Sequence, residues 1–336
     1  MLRRALPISL ALVLLGSCGG SAAAPGGAGE AKWKHFKSLN KAVDVAGPRQ
    51  EGRLVAIAAG RLFLLDPSGT LSPFARGVHG FAGQGGGEPY MTVAPQRRPK
   101  TAGCTFHRDD VFVLQPGSSP AVVRVTAAGR AKKFASLPKG GFLDGIAFDG
   151  VGRFGHRLIV GSRFSGGNAI YAIDCAGRVK TVAAKVPRLE GGMAVAPASF
   201  GRFAGDAIAA DEHSGHVYAI GPKGGAHKLP DSGFPAGGDI GVEALGFAPG
   251  NLAARDAYLA DLGAPGSPTH GTNSVLRVRG NALSAAGVKP GDLLVATEAS
   301  AKTVAIRCAA TCTVRRVATG PTATHAEGHI VFSSPR

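Results

Sequence analysis

Leu189-Glu190-Gly191-Gly192-Met193-Ala194-Val195 joins an acidic residue to a short apolar run, and the same pattern returns along the chain. It reads Leu143-Asp144-Gly145-Ile146-Ala147-Phe148, then Val242-Glu243-Ala244-Leu245-Gly246-Phe247, then Ala326-Glu327-Gly328-His329-Ile330-Val331-Phe332. Gly87-Glu88-Pro89-Tyr90-Met91-Thr92-Val93 is a weaker copy. A second pattern follows it: Asp206-Ala207-Ile208-Ala209-Ala210-Asp211 matches Asp256-Ala257-Tyr258-Leu259-Ala260-Asp261, and Asp292-Leu293-Leu294-Val295-Ala296-Thr297-Glu298 is a third version. Gly152-Arg153-Phe154 and Gly201-Arg202-Phe203 mark one hairpin in two successive repeats.

Short β-branched runs separated by turn residues, with 51 Gly and 22 Pro, read as strands and tight connections. A repeat of roughly 45–50 residues built from short strands predicts a β-propeller, an all-β fold of radially arranged small sheets. Six four-stranded blades are expected over residues 51–336, with five or seven as the alternatives because no signal marks the boundary within residues 280–291. The fifth takes Ala244-Ala248, Asp256-Ala260 and Ser274-Val278, and the last takes Asp292-Thr297, Thr303-Ile306 and Thr313-Val317. The first repeat lacks an inner strand in this reading, so the C-terminal strand is expected to join the first blade and close the ring, removing both open sheet edges.

The N-terminal stretch reads as an export signal over residues 1–17, with Arg3 and Arg4 before an apolar run and Leu15-Gly16-Ser17-Cys18 after it. That ending resembles the lipobox of bacterial lipoproteins, which makes Cys18 the expected lipidation site. Residues 18–50 read as a lipidated Cys and a flexible tether, rich in Gly, Ala and Ser. Lys32-Trp33-Lys34-His35-Phe36-Lys37 within it suits either anionic headgroups or the entry to the first blade. The expected location is the outer face of the cytoplasmic membrane or the envelope. The net charge of +16 is spread along the chain and, for an exported protein, reads as surface charge facing an anionic envelope, not as a nucleic-acid site. A monomer is expected. Four cysteines remain after Cys18, an even number that suggests disulfides in an oxidising compartment. Cys308 and Cys312 flank a hairpin-length gap, which leaves Cys104 to pair with Cys175.

In an antiparallel four-stranded blade, the loop entering strand one and the loop leaving strand two lie on the same face. Glu88, Asp144, Glu190, Glu243 and Glu327 enter first strands; Asp211, Glu212, Asp261 and Glu298 end second strands. Both sets are expected at one mouth of the channel, with Arg163 as a built-in cation and His213, His270, Asn273, His325 and His329 nearby. Converging carboxylates must hold protons, pair with cations or bind a metal. Oxygen ligands without thiolates favour Ca²⁺, with Glu190, Glu243 and Glu327 as candidate ligands. Asp211, Asp261 and His329 are the candidate catalytic groups. Repeated acids also cap turns, which is the structural alternative for each of them.

The inner-strand pairs Glu190-Gly191 and Glu327-Gly328, with Val217-Tyr218-Ala219-Ile220 and Ile170-Tyr171-Ala172-Ile173 as third strands, resemble the gluconolactonase and senescence-marker-protein group of propellers, and NHL-type propellers more loosely. The resemblance implies a metal held by a Glu, an Asn and an Asp from separate blades, with an Asp in catalysis. Glu190 or Glu327 matches the Glu and Asp211 or Asp261 the Asp; the Asn has no counterpart, since Asn273 sits in a different loop context. Three functions stay open: a lipid-anchored propeller binding a small-molecule or envelope ligand at an acidic, calcium-binding mouth; a metal-dependent lactonase or esterase-like hydrolase; and a quinone-dependent sugar dehydrogenase.

Overall fold

The computed structural model describes residues 29–75, 81, 88–95, 100, 101 and 103–334. The export signal and Cys18 lie outside the described residues, as does Gly87 of the weaker repeat. The chain is almost entirely β. Four separate antiparallel sheets of four strands follow one another. The first holds Ala42–Ala46, Leu54–Ala58, Arg61–Leu65 and Leu71–Phe74. The second holds Met91–Val93, Val111–Gln115, Ala121–Val125 and Ala131–Ser136. Phe142–Phe148, Leu158–Phe164, Gly167–Ile173 and Val179–Val186 make the third. Met193–Val195, Ala207–Asp211, His216–Ile220 and Ala226–Lys228 make the fourth.

A nine-stranded sheet completes the arrangement. Its register splits it into two stacks. One pairs Val242–Phe247 with Leu293–Thr297, Thr303–Cys308 and Cys312–Thr319. The other pairs Ala326–Ser333 with Asp256–Asp261, Ser274–Val278 and Lys34–Ser38. They are joined by the parallel pairing Leu245↔His329 and by an isolated bridge, Ala299↔His325.

Strand composition follows position in the ring. Leu54–Ala58 and Leu293–Thr297 are buried along their whole length, because neighbouring sheets cover both faces. This is why they read as continuous apolar runs instead of alternating ones. The outermost strands, such as Val179–Val186, are mostly exposed. Pro73 sits in the outermost strand of the first sheet, where a missing N–H costs no ladder bond.

The core lies between neighbouring sheets. Phe112, Leu114 and Val122 of the second sheet pack on Leu143, Ile146 and Val160 of the third. The ring closes where Ala42, Val45 and Leu54 of the first sheet meet Tyr258, Ala260 and Val275 near the other end of the chain. Both expected disulfides are present, Cys104–Cys175 and Cys308–Cys312.

Three expectations are corrected. The C-terminal strand Ala326–Ser333 lies against the first sheet but does not join it; its ladder is with Asp256–Asp261. Ala42–Ala46 fills the inner position of the first sheet. The fifth and last repeats are interleaved: the chain leaves Val242–Phe247, builds two strands of the next stack, and returns to Leu293–Thr297. Consecutive strands usually pair, and no local signal in the sequence marks the exchange. Finally, residues 31–46 belong to the folded body and not to a tether. Ala31–Lys32 pairs with the strand Cys312–Thr319, and Trp33 is 2% exposed with its indole Nε1 donating to Thr303 Oγ1 at 2.9 Å.

Inner strands crowd at the axis. A Cβ on Gly246 would lie 1.9 Å from the Ile330 carbonyl oxygen, and one on Gly192 would lie 2.0 Å from that of Gly328. Gly246→Ala should therefore push two inner strands apart and destabilise the fold by about 1–3 kcal/mol. A thermal melt within a degree of wild type would show that the strands can separate without cost.

Candidate functional site at the ring axis

The acids that enter first strands do converge. Glu88, Glu190, Glu243 and Glu327 line a cavity of about 290 Å³ together with Glu212 and Glu298. Asp144 sits at its rim, where Arg163 Nε lies 3.1 Å from the Asp144 carboxylate and Arg163 Nη1 lies 2.9 Å from Glu190. Arg188 also holds Glu190. Glu190 is thus a rim acid engaged by guanidinium groups, whereas Glu243 and Glu327 are 3% and 2% exposed and meet no arginine among the described residues.

The floor is organised by Tyr90, which the sequence reading quoted without giving it a role. Its ring is fully buried, and its hydroxyl lies 2.7 Å from Glu88 Oε2, 2.6 Å from Glu243 Oε1 and 2.9 Å from Glu327 Oε2. A phenol has one hydrogen to donate and can accept two. Three carboxyl contacts on one hydroxyl therefore require two carboxyl protons, or a cation that takes their place. Burial is the first cause holding Glu243 and Glu327 well above the usual carboxylate range, and neighbouring carboxylates add to it. Burial likewise raises Glu88 and pushes the Tyr90 phenol up. Glu212 is raised to about 9 by burial and by Glu298, and its Oε1 is buried without a hydrogen-bond partner among the described residues. Asp144 is raised to about 8 because burial outweighs Arg163.

His325 stands beside this floor. Its Nε2 lies 2.6 Å from Glu298 and 3.3 Å from Glu327. Burial opposes its charged form, but the Glu298 carboxylate prevails and raises its pKa. Oxygen ligands from Glu88, Glu243 and Glu327 come within 4.8 Å of one another. A second such group joins Asp239, Glu298 and His325, and a third joins Glu190, Glu212 and His213. The set is rich in carboxylate oxygen and lacks thiolates, which suits a hard divalent cation.

The candidate catalytic residues have other surroundings. Asp211 accepts the hydroxyl of Ser214 in the turn after its strand. Asp261 accepts the hydroxyl of Thr272 and the backbone N–H of His325, the latter at 2.9 Å. Both act as turn caps outside the cavity lining. His329 is outside the cavity lining, with Nδ1 3.0 Å from Asp44 and Nε2 3.1 Å from the Ile146 carbonyl. Both ring nitrogens face acceptors, an arrangement that favours the doubly protonated ring. Burial opposes that charge, but Asp44 outweighs it and raises the pKa. Asn273 accepts the backbone N–H of Lys41 at 2.7 Å, away from the mouth. A quinone cofactor's carboxylates would need cations such as Arg163, His325 and His329, and these are engaged by Asp144 and Glu190, by Glu298 and by Asp44 respectively.

Asp44 and Asp239 were missed as well. Asp44 interrupts the apolar run Ala42-Val43-Asp44-Val45-Ala46, the same acid-in-strand signal as the other repeats, but it fell within the assumed tether. Asp239 lies in a Gly-rich loop with no repeat counterpart.

No family model and no curated protein sequence matches the chain. Similar solved structures include virginiamycin B lyase from Staphylococcus aureus, with TM-score 0.49 and 11% identity over 88% of this chain and 78% of that one. A gluconolactonase from Xanthomonas campestris gives 0.41 and 14%, covering 69% of each chain. A putative TolB from Agrobacterium tumefaciens gives 0.48 and 10%, covering 88% of this chain and 90% of that one. At this level of similarity no residue role passes from those proteins to this chain. The strand pairing described above, taken by itself, makes this chain an all-β protein with a propeller-like ring of small antiparallel sheets.

Proposed function

We propose that this is an envelope-anchored propeller, counted as six blades when the nine-stranded sheet is divided into its two stacks, that binds a divalent cation at its acidic mouth. Calcium is the cation the donor set favours, held by Glu88, Glu243 and Glu327, with Glu212 and Glu298 on the cavity wall. The bound cation would offer its remaining coordination positions to a small oxygen-rich ligand entering from the mouth. The observation that carries this reading is the meeting of three carboxylates on the single Tyr90 hydroxyl. Such a set needs positive charge, and a cation supplies it without protonating the acids. The Cys18 anchor and export accord with the two disulfides, which persist in oxidising compartments.

A second reading, a metal-dependent hydrolase of lactones or esters, is favoured by His325. Its Nε2 sits between Glu298 and Glu327 at the cavity, where an imidazole can move a proton to or from a bound substrate. Asp211 and Asp261 do not support it, being occupied in turn caps.

Calorimetric titration with calcium tests the first reading. Saturable binding is expected with a dissociation constant no weaker than roughly 10⁻³ M, the range of extracellular calcium modules. Glu243→Gln and Glu327→Gln should each abolish it, while Glu190→Gln should weaken it less. Absence of saturable binding for both calcium and magnesium would remove the cation from the proposal. Lactone or ester hydrolysis that disappears in His325→Gln while calcium still binds would select the hydrolase.

A further inference from the structure

The repeated Gly-Arg-Phe hairpins, which the acidic mouth does not use, build a different site. Each occupies the connection between the first and second strands of its sheet, in the third and fourth sheets respectively. The aromatic ring anchors the loop in both copies: Phe154 is 4% and Phe203 3% exposed. Each anchor directs the preceding arginine outward, and the two arginines line one cleft of about 390 Å³.

Both guanidinium groups are pre-positioned. Arg153 reaches across to the fourth sheet, where Nη1 lies 2.8 Å from the Ala204 carbonyl and 2.9 Å from Asp206 Oδ1. Gly205 makes room for that crossing, since a Cβ there would lie 2.5 Å from Arg153 Cδ. Arg202 is stacked on Phe203, its guanidinium carbon 4.7 Å from the ring centre. The far wall comes from Gly221-Pro222-Lys223-Gly224, a tight turn closed by Gly224 N–H on Gly221 O at 2.9 Å and by Gly221 N–H on Gly225 O at 2.8 Å. Proline at the second turn position stiffens it and leaves Lys223 at the tip. His227 completes the wall.

Arg153, Arg202 and Lys223 thus face one buried carboxylate, Asp206, which is committed to Arg153. The cleft is built from connections between first and second strands and between third and fourth strands. Alternation of strand direction places these on the face opposite the acidic mouth. Arginine forks match oxyanions in a bidentate geometry, and a lysine on a rigid turn adds a point charge. The volume falls within the range of small-ligand clefts.

We propose that this cleft binds an oxyanion, a phosphate foremost, carried by a molecule of about the size of a sugar. The site is independent of the cation at the mouth. Asp206 is the internal counter-charge that the ligand's anionic group competes with for Arg153.

The test follows the imidazole signals of His227 by NMR during titration of the full mature chain with inorganic phosphate or glucose 6-phosphate. Ionic strength is held constant. Saturable shifts are expected with both probes, and tighter binding of glucose 6-phosphate would show that the cleft also recognises the sugar. The double variant Arg202→Gln/Lys223→Gln changes exposed side chains and should melt like wild type while losing at least about tenfold in affinity. Asp206→Asn removes the competing carboxylate and should bind phosphate about threefold more tightly or better. A merely structural ion pair would give no gain from that substitution. The proposal is overturned if neither probe gives a saturable shift, or if the double variant leaves affinity unchanged. It is equally overturned if the protein binds phosphatidylglycerol vesicles while both soluble probes leave His227 unmoved, which would make this face a membrane contact.

Discussion

Replacing Asp44 by Ala is expected to destabilise the protein by about 3–5 kcal/mol, the cost of removing one partner from a buried ion pair. Asp44 is fully buried. Its carboxylate accepts the backbone N–H of Val45 at 2.8 Å, of Met91 at 2.8 Å and of His329 at 2.9 Å, and it faces the His329 ring at 3.0 Å. These donors come from the first sheet, the second sheet and the C-terminal strand, so one carboxylate fastens the place where the chain ends meet. Gly328 leaves the space for it, since a Cβ there would lie 2.3 Å from Asp44 Oδ1. Without Asp44, the His329 Nδ1–H and three backbone N–H groups are buried with no acceptor, while Nε2 keeps the Ile146 carbonyl. Guanidinium unfolding measures the effect as a lower midpoint at unchanged slope. Asp44→Asn should recover part of the loss, because an amide oxygen still accepts N–H groups but carries no charge. A loss below about 1 kcal/mol in Asp44→Ala would mean that water reaches the junction.

The second large effect is a dependence on pH that calcium reverses. In the folded protein Glu88, Glu243 and Glu327 are raised by burial, Asp144 is raised to about 8 and Glu212 to about 9. Between their unfolded values near pH 4 and these raised ones, the folded state holds more protons than the unfolded state. Stability is therefore present at the acid end of this window and is lost as pH rises through it. His325 and His329, also raised, add stability below their unfolded value near 6.5 that is lost as pH climbs through their folded values. Asp174, lowered by its bonds to Arg178 and to backbone N–H groups despite some burial, acts in the opposite direction and only in acid.

Calcium-free protein should accordingly melt about 5 °C or more higher at pH 5 than at pH 8. Saturating calcium should raise the melting temperature chiefly at pH 8, where protons compete with it less for the carboxylates. A calcium-free melting temperature that climbs from pH 5 to pH 8 would show that the mouth acids ionise without penalty. The cluster on Tyr90 would then be hydrated and not closed.

Much of the mouth was legible in the chain because its acids recur at one place in each repeat. Glu88, Glu190, Glu243 and Glu327 were found by that recurrence alone, and strand alternation put them on the same face as Glu212 and Glu298. The same rule failed to separate ligands from caps. Asp211 and Asp261 end second strands as Glu298 does, yet the hydroxyls of Ser214 and Thr272 turn back to bond one oxygen of each. His325, Glu327 and His329 are spaced by two, with His325 just before the strand Ala326–Ser333, but the first meets the mouth and the last meets Asp44. Which neighbour a side chain finds depended on the sheet facing it, not on its own strand.

Local order in the sequence was enough to determine an all-β ring of short strands, the Cys308–Cys312 disulfide and the delivery of carboxylates to one end of a channel, and the cysteine count left Cys104 to pair with Cys175. Period-two alternation, turn residues and internal repeats are properties of neighbouring residues, and the backbone responds to them locally. Tertiary structure alone decided which strand completes which sheet, that residues 31–46 belong to the ring, and what each buried charge touches. Tyr90 meets Glu327 across 237 positions and His329 meets Asp44 across 285. Desolvation and hydrogen-bond partnership at the axis are set by inner strands drawn from the whole length of the chain, and no local pattern records which of them will be adjacent.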